Sequence, residues 1–243
     1  MGLLGASSGG CGGESLFEDL GDDSSRQAKL EAAQLALDKG ECQKAIDGFT
    51  ALQTQEPTNV DLRQDLSAAL MCDAGFNVAG FIKIAADFQA NSVTNKTLFK
   101  TISDQAVNLV GSNWQADTTQ AEGLLTPYQS DADVAFSLSV ISTIKATLTV
   151  LDLINYANGV VNCSPSCTIT QQNADDIISA LNSAYNSLSN AGLVNSAEAD
   201  AINQILTDLN NISGTATDPV TSQDIVNYLT QQGFDTTNII AAP

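Results

Sequence analysis

A chain of 243 residues with 43% hydrophobic side chains is long enough to bury one large core or two small ones. It carries a formal charge of −19 and no histidine, which excludes His-based catalytic triads and removes the commonest metal ligand and proton shuttle. Eight of the nine Lys and Arg residues fall within the first 100 positions, so the acidic C-terminal part repels phosphates and anionic headgroups, and no nucleic-acid partner is expected.

Residues 1–25 open with Gly, Ser and a few apolar residues, reach Cys11, and continue as a Gly-, Ser- and acid-rich stretch expected to be a flexible tether. The small residues Ser7, Ser8, Gly9 and Gly10 before Cys11 resemble the tail of a bacterial lipoprotein signal, although Ser8 stands where that family has an aliphatic residue. The resemblance implies lipidation at Cys11, with Gly12 directing the protein to the outer membrane of a diderm bacterium, facing the periplasm. A disordered tail with an incidental cysteine is the competing reading.

From residue 26 the chain becomes periodic. Leu30, Ala33, Leu35 and Leu37, with Ala28, Ala32 and Ala36 between them, mark an Ala-rich helix that Gly40 stops. Ala45, Ile46, Phe49 and Leu52 mark a second, ended by Pro57. Measured back from Pro57, the positions of Gly40, Ala45 and Phe49 resemble the tetratricopeptide repeat, and the first helix departs from it at Ala32, Ala33 and Ala36. A degraded second copy follows, with Leu62, Leu66, Ala69 and Leu70 on one helix, Gly75 at the turn, and Phe81, Ile84 and Phe88 on the other. Residues 26–92 are thus expected to form tetratricopeptide-like hairpins, which cannot bury their apolar faces alone. The resemblance places a partner near Gln34, Leu37, Arg63 and Gln64.

Apart from Cys11, four cysteines remain. Cys42 opens one helix and Cys72 lies near the end of the next, so antiparallel packing brings them within bridging distance. Cys163 and Cys167 are close enough to staple a short loop around Pro165. Two disulfides imply an oxidising compartment. A four-thiolate zinc site and free buried thiols are the alternatives, and the CxxCH haem attachment is missing.

Residues 93–243 are expected to continue as a helical bundle or solenoid. Leu98, Ile102, Ala106, Leu109 and Val110 are spaced for a helix stopped by Gly111. Trp114 either anchors a partner or packs under a loop. The most apolar run, residues 132–161, is long enough to span a membrane, but Lys145 and Asp152 lie inside it. The stripe Ile141, Ile144, Leu148, Leu151 and Ile154 instead predicts a central core helix against which the C-terminal helices pack. Beyond it, Thr168 or Thr170 caps a helix ending at Ala191 and Gly192, Asn195 and Glu198 form a capping box, and a last helix runs from Thr221 and Asp224 to Gly233. Little or no sheet is expected, because no segment alternates with period two.

The carboxylates Asp131 and Asp133, Asp175 and Asp176, and Glu198 and Asp200 are read as helix-start residues, favoured there by unpaired amides. No phosphate loop, nucleophile elbow or EF-hand loop occurs, and neither cofactor nor catalysis is expected. The sequence therefore predicts an all-α fold of stacked tetratricopeptide-like hairpins and further helices around a long apolar helix. The expected function is that of a non-catalytic envelope lipoprotein, a scaffold or adaptor for another exported protein. The alternative is a small-molecule-binding helical lipoprotein accessory to a periplasmic solute transport system, for which the apolar helix should line an enclosed apolar pocket near Leu148.

Overall fold

Ser25 caps the first helix: its hydroxyl accepts from the Ala28 amide at 3.1 Å, and α1 (Arg26–Asp38) continues until Gly40, at φ 72°, takes the left-handed backbone that ends it. The computed structural model describes residues 25–76, 113–157, 160–195, 197–213 and 219–243. Cys11, the helix of Phe81, Ile84 and Phe88, and the expected helix at 95–110 lie outside the described residues, and the Asn195 and Glu198 capping box rests partly on residues outside them. Within the described residues the chain is mostly helical.

α2 (Cys42–Gln55) stops before Pro57, and α3 (Val60–Asp73) starts at Asn59, whose side chain accepts from the Leu62 amide at 3.2 Å. Among the described residues, three tethers join four helices as antiparallel neighbours. The Arg26 guanidinium grips both oxygens of Glu56, tying the start of α1 to the end of α2. Cys42 and Cys72 form a disulfide, with Cα atoms 5.5 Å apart, between the start of α2 and the end of α3. Arg63 near the start of α3 donates to the Leu124 carbonyl at 3.2 Å, near the end of α4 (Trp114–Leu125).

Ala33, Ala36, Ala45, Phe49 and Leu52 fill the space between α1 and α2. A Cβ added at Gly48 would lie 2.8 Å from the Ala33 Cβ, so the closest approach of the two helices needs glycine there. Leu35, expected on the buried stripe, is 53% exposed, because the core side of α1 is defined by Ala33 and Ala36 one turn apart.

After a 3-10 turn (Thr126–Tyr128), α5 (Ala132–Leu153) starts at Asp131, whose carboxylate accepts from the amides of Asp133 and Val134 at 3.0 and 3.2 Å. Its length and mean hydropathy of 1.7 match a membrane span, yet 67% of its most apolar window is buried inside the protein. It is a core helix, as the stripe through Ile141, Ile144, Leu148 and Leu151 predicts. α6 (Gln171–Asn190) packs along it. α7 (Ala197–Ser213) instead packs mainly on α6 and α8 (Ser222–Gln231), which corrects the expectation that all C-terminal helices rest on α5.

The end of the apolar run also departs from the helix expectation. Asn155 adopts φ 47°, a left-handed conformation its short polar side chain tolerates, and Tyr156–Ala157 (β1) pairs antiparallel with Val160–Val161 (β2). Cys167–Ile169 (β3) then pairs in parallel with Ile239–Ala241 (β4), in register Cys167 with Ile239 and Ile169 with Ala241. Thr168 thus lies in a strand, and Thr170 is the residue that caps α6, in a reciprocal box with Asn173. Thr221 and Asp224 form the same box at α8, as the sequence predicts. One buried cluster extends from Ala33 in α1 to Ile239 in β4 and includes residues of α1 through α8 apart from a small satellite core of Ala184, Leu188, Ala199 and Ile202 between α6 and α7.

Candidate functional site: a polar cleft and an apolar groove

Lys145 and Asp152, two of the three charged residues in the apolar run, share one face of α5 with Thr149, at the i, i+4, i+7 spacing of a helical stripe. That face borders a cleft of about 640 Å³ between α4, α5 and α6. Lys145 Nζ lies 2.5 Å from Glu122 Oε2 of α4, and Ser142 donates to the other Glu122 oxygen at 2.8 Å. Ser142 Oγ also lies 3.5 Å from Ser183 Oγ of α6, so one network joins three helices. Asp152 is exposed and receives only a long contact, 3.4 Å, from Gln115 Nε2. Asp176 of α6 completes the charged rim. A second depression of similar volume shares Gln129, Ser179, Ser183 and Ser187 with the cleft and extends it along α6 towards Pro219.

A smaller groove of about 150 Å³ opens between α3 and α5. It is lined by Gln64, Ala68 and Met71 from α3 and Phe136, Val140 and Ile144 from α5, and is mostly apolar.

The residues that the sequence assigned to a partner have different surroundings in the structure. Gln34 is exposed on α1 and its side chain bonds Asp65 of α3, whose carboxyl is pushed up mainly by burial. Leu37 is half-buried against the core. Gln64 borders the apolar groove. Arg63 is committed to the fold: it donates to the carbonyls of Pro57 and Leu124 and its guanidinium stacks 5.0 Å from the Tyr128 ring centre. Trp114 is 6% exposed, packed in the core at the start of α4, so it is withdrawn as an exposed anchor and only edges the cleft.

The cysteines pair as expected, Cys42 with Cys72 and Cys163 with Cys167, whose Cα atoms are 4.9 Å apart. The four sulfurs therefore do not converge on one site, and among the described residues no group of three or more Cys, Asp and Glu side chains is placed to hold a metal. Asp131 and Asp133 sit at a helix start as expected, whereas Asp175 and Asp176 lie in the second turn of α6 and accept from Gln171 and Gln172 at 2.9 Å, since Asn173 takes the capping role. Leu148, where the alternative reading expects an enclosed apolar pocket, is 2% exposed and belongs to the main buried cluster. Glu122 and the serines of α6 were not singled out in the sequence, and Asp176 was read there only as a helix-start residue. Their signal was indirect, a polar stripe on the most apolar helix that required polar neighbours on whatever packed against it.

Buried Asp117 of α4 stands apart from both openings. Its Oδ2 has no hydrogen-bond partner, and its carboxyl is pushed up by burial and, secondarily, by the charge of Asp73 across the α3 and α4 interface. The chain matches no protein-family model, no curated protein and no solved structure.

Proposed function

We propose that this chain is an exported, non-catalytic adaptor, a tetratricopeptide-like lipoprotein tethered through Cys11 to the periplasmic face of an outer membrane. The observation that carries the reading is the apolar groove beside Gln64, on the repeat-like face of α3, combined with a core that is filled around Leu148. A helical body of this kind gives a partner a preformed slot for an apolar side chain. The formal charge of −19 favours a partner whose anchoring segment carries basic residues around that side chain. Two cysteine pairs at disulfide distance support an oxidising compartment, in keeping with export.

The test is recovery of partner proteins from native membranes at low salt with the tethered protein and with an Ala68→Arg variant, which fills the groove with a charge. The expected result is one envelope protein recovered by the parent and lost with the variant while helicity is unchanged. Equal recovery by both, or no protein recovered by either, overturns the adaptor reading. Mass spectrometry of the same membranes should find Cys11 lipidated, and an unmodified Cys11 would remove the tether.

A further inference from the structure

The groove leaves the polar stripe of α5 unexplained. Lys145 is the sole basic residue beyond position 100, and it sits in the most apolar helix of the chain, facing a cleft. Of its three ammonium donors, one is taken by Glu122, and the side chain remains about a third exposed to the cleft. Asp152, two turns further along the same face, has no cationic partner among the described residues and there receives only the long contact from Gln115. Between them Thr149 donates its hydroxyl proton to the Lys145 carbonyl at 2.8 Å, which leaves its oxygen lone pairs directed outward as acceptors. The cleft thus offers the two ammonium donors of Lys145 that Glu122 does not take at one end, an acceptor midway, and at the other a carboxylate with no cationic partner among the described residues.

We infer that the cleft between α4, α5 and α6 binds a short free peptide, with its terminal carboxylate on Lys145 and its terminal ammonium on Asp152. Seven helical residues separate the two charges by about 10 Å along the axis, and an extended tripeptide spans about 10 Å between its ends. The cleft volume of about 640 Å³ accommodates such a chain with its side chains directed along α6. Charges of both signs at a fixed spacing select a zwitterion of that length: a free amine meets Lys145 and gains nothing, and a dicarboxylate meets Asp152 and is repelled. This site is separate from the apolar groove, so its occupancy does not depend on the adaptor reading.

The test uses the full chain, with trialanine as probe and its N-acetyl and C-amide forms as controls, followed by titration calorimetry. Trp114, the single tryptophan, edges the cleft and reports locally through its emission. The expected result is saturable binding of trialanine with a Trp114 response, and a dissociation constant raised at least about tenfold by either cap, equivalent to about 1.4 kcal/mol. Asp152→Asn, at an exposed position, should weaken trialanine to the level of its acetylated form and leave the penalty for the C-terminal amide intact. The inference is overturned by any of three results: no saturable heat at millimolar trialanine, equal affinity for capped and free peptides, or binding that leaves Trp114 silent. An Ala68→Arg variant should bind trialanine like the parent, which separates this outcome from that of the groove.

Discussion

The row of helices α1 to α4 and the body around α5 are both helical, but they are held together by different chemistry. In the row, packed neighbours among the described helices are tied by a cross-link between opposite ends: Arg26 to Glu56, Cys42 to Cys72, Arg63 to the Leu124 carbonyl. The body has almost no basic residues to use in this way, and relies instead on one long buried helix, on reciprocal caps at Thr170 and Thr221, and on the parallel pairing of β3 with β4. Gln171 adds to that stitching, donating to the Val220 carbonyl at 2.9 Å and so joining the start of α6 to the start of α8. The difference shows that charge distribution along a chain limits which tethers are open to each region. Where arginines are present, an ion pair and a guanidinium-to-carbonyl bond join helix ends beside a disulfide, and where cations are scarce, backbone pairing and capping take over.

The sharpest way to break the comparison is to ask whether the two regions unfold separately. Their buried side chains form one contiguous cluster, so a single transition is expected. Phe49→Ala should cost about 4 kcal/mol and Leu148→Ala about 3 kcal/mol, by loss of buried surface and the cavities left behind. Urea titration followed by far-ultraviolet circular dichroism should show each variant moving the same single midpoint. Two resolved transitions, each sensitive to one variant, would mean that the row and the body are independent units.

The disulfides rank next. Removing the Cys42 to Cys72 bridge by a double serine substitution should cost about 3.6 kcal/mol on the chain-entropy account, and removing the Cys163 to Cys167 bridge about 2 kcal/mol, because the first closes the longer loop. Peptide mapping without reduction should recover both pairs linked, and thermal melts of the two double variants give the order. A larger loss at the short loop would mean that β3, which begins at Cys167, depends on that staple for its pairing with β4.

How much of this was legible in the sequence follows the range of the interactions. The cap at Thr221, stops at Gly40, Gly192 and Gly233, and the stripe of α5 depend on residues within one or two turns and were readable, and the cap of α6 was narrowed to Thr168 or Thr170, of which the structure takes Thr170. The Cys42 to Cys72 pairing was readable too, because it needed only the rule that neighbouring helices run antiparallel. The β3 and β4 pair was not: strands of three residues have no period to detect, and their partners lie about 70 positions apart. Leu35 misled because hydrophobicity alone cannot choose between faces of a helix whose buried side is built from alanines. Of the two openings, the groove was half-visible through Gln64, whereas the cleft required the meeting of α4, α5 and α6 and announced itself only through Lys145 and Asp152.

The smallest expected effects sharpen the comparison within the row itself, where two carboxylates should respond to pH with opposite sign. The Glu56 carboxyl is lowered to about 2, first by the hydrogen bond from Arg26 and then by that from Asn59. Its folded value lies below its unfolded one, so its contribution to stability is present above the ordinary carboxylate range and is lost as pH falls towards 2. Asp117 is displaced upward by burial and by Asp73, so its contribution is full at low pH, where the carboxyl is protonated, and is lost as pH rises through its folded value. Asp117→Asn keeps the shape and removes the charge, and should stabilise the protein at neutral pH by about 1 kcal/mol, with the advantage vanishing in acid. Glu56→Gln should do the reverse, weakening the fold slightly at neutral pH and converging with the parent as the pH approaches 2. Melting temperatures of the parent and both variants across the acid range decide it: if the two difference curves have the same sign, the α3 and α4 interface does not hold Asp117 as a buried, uncompensated charge.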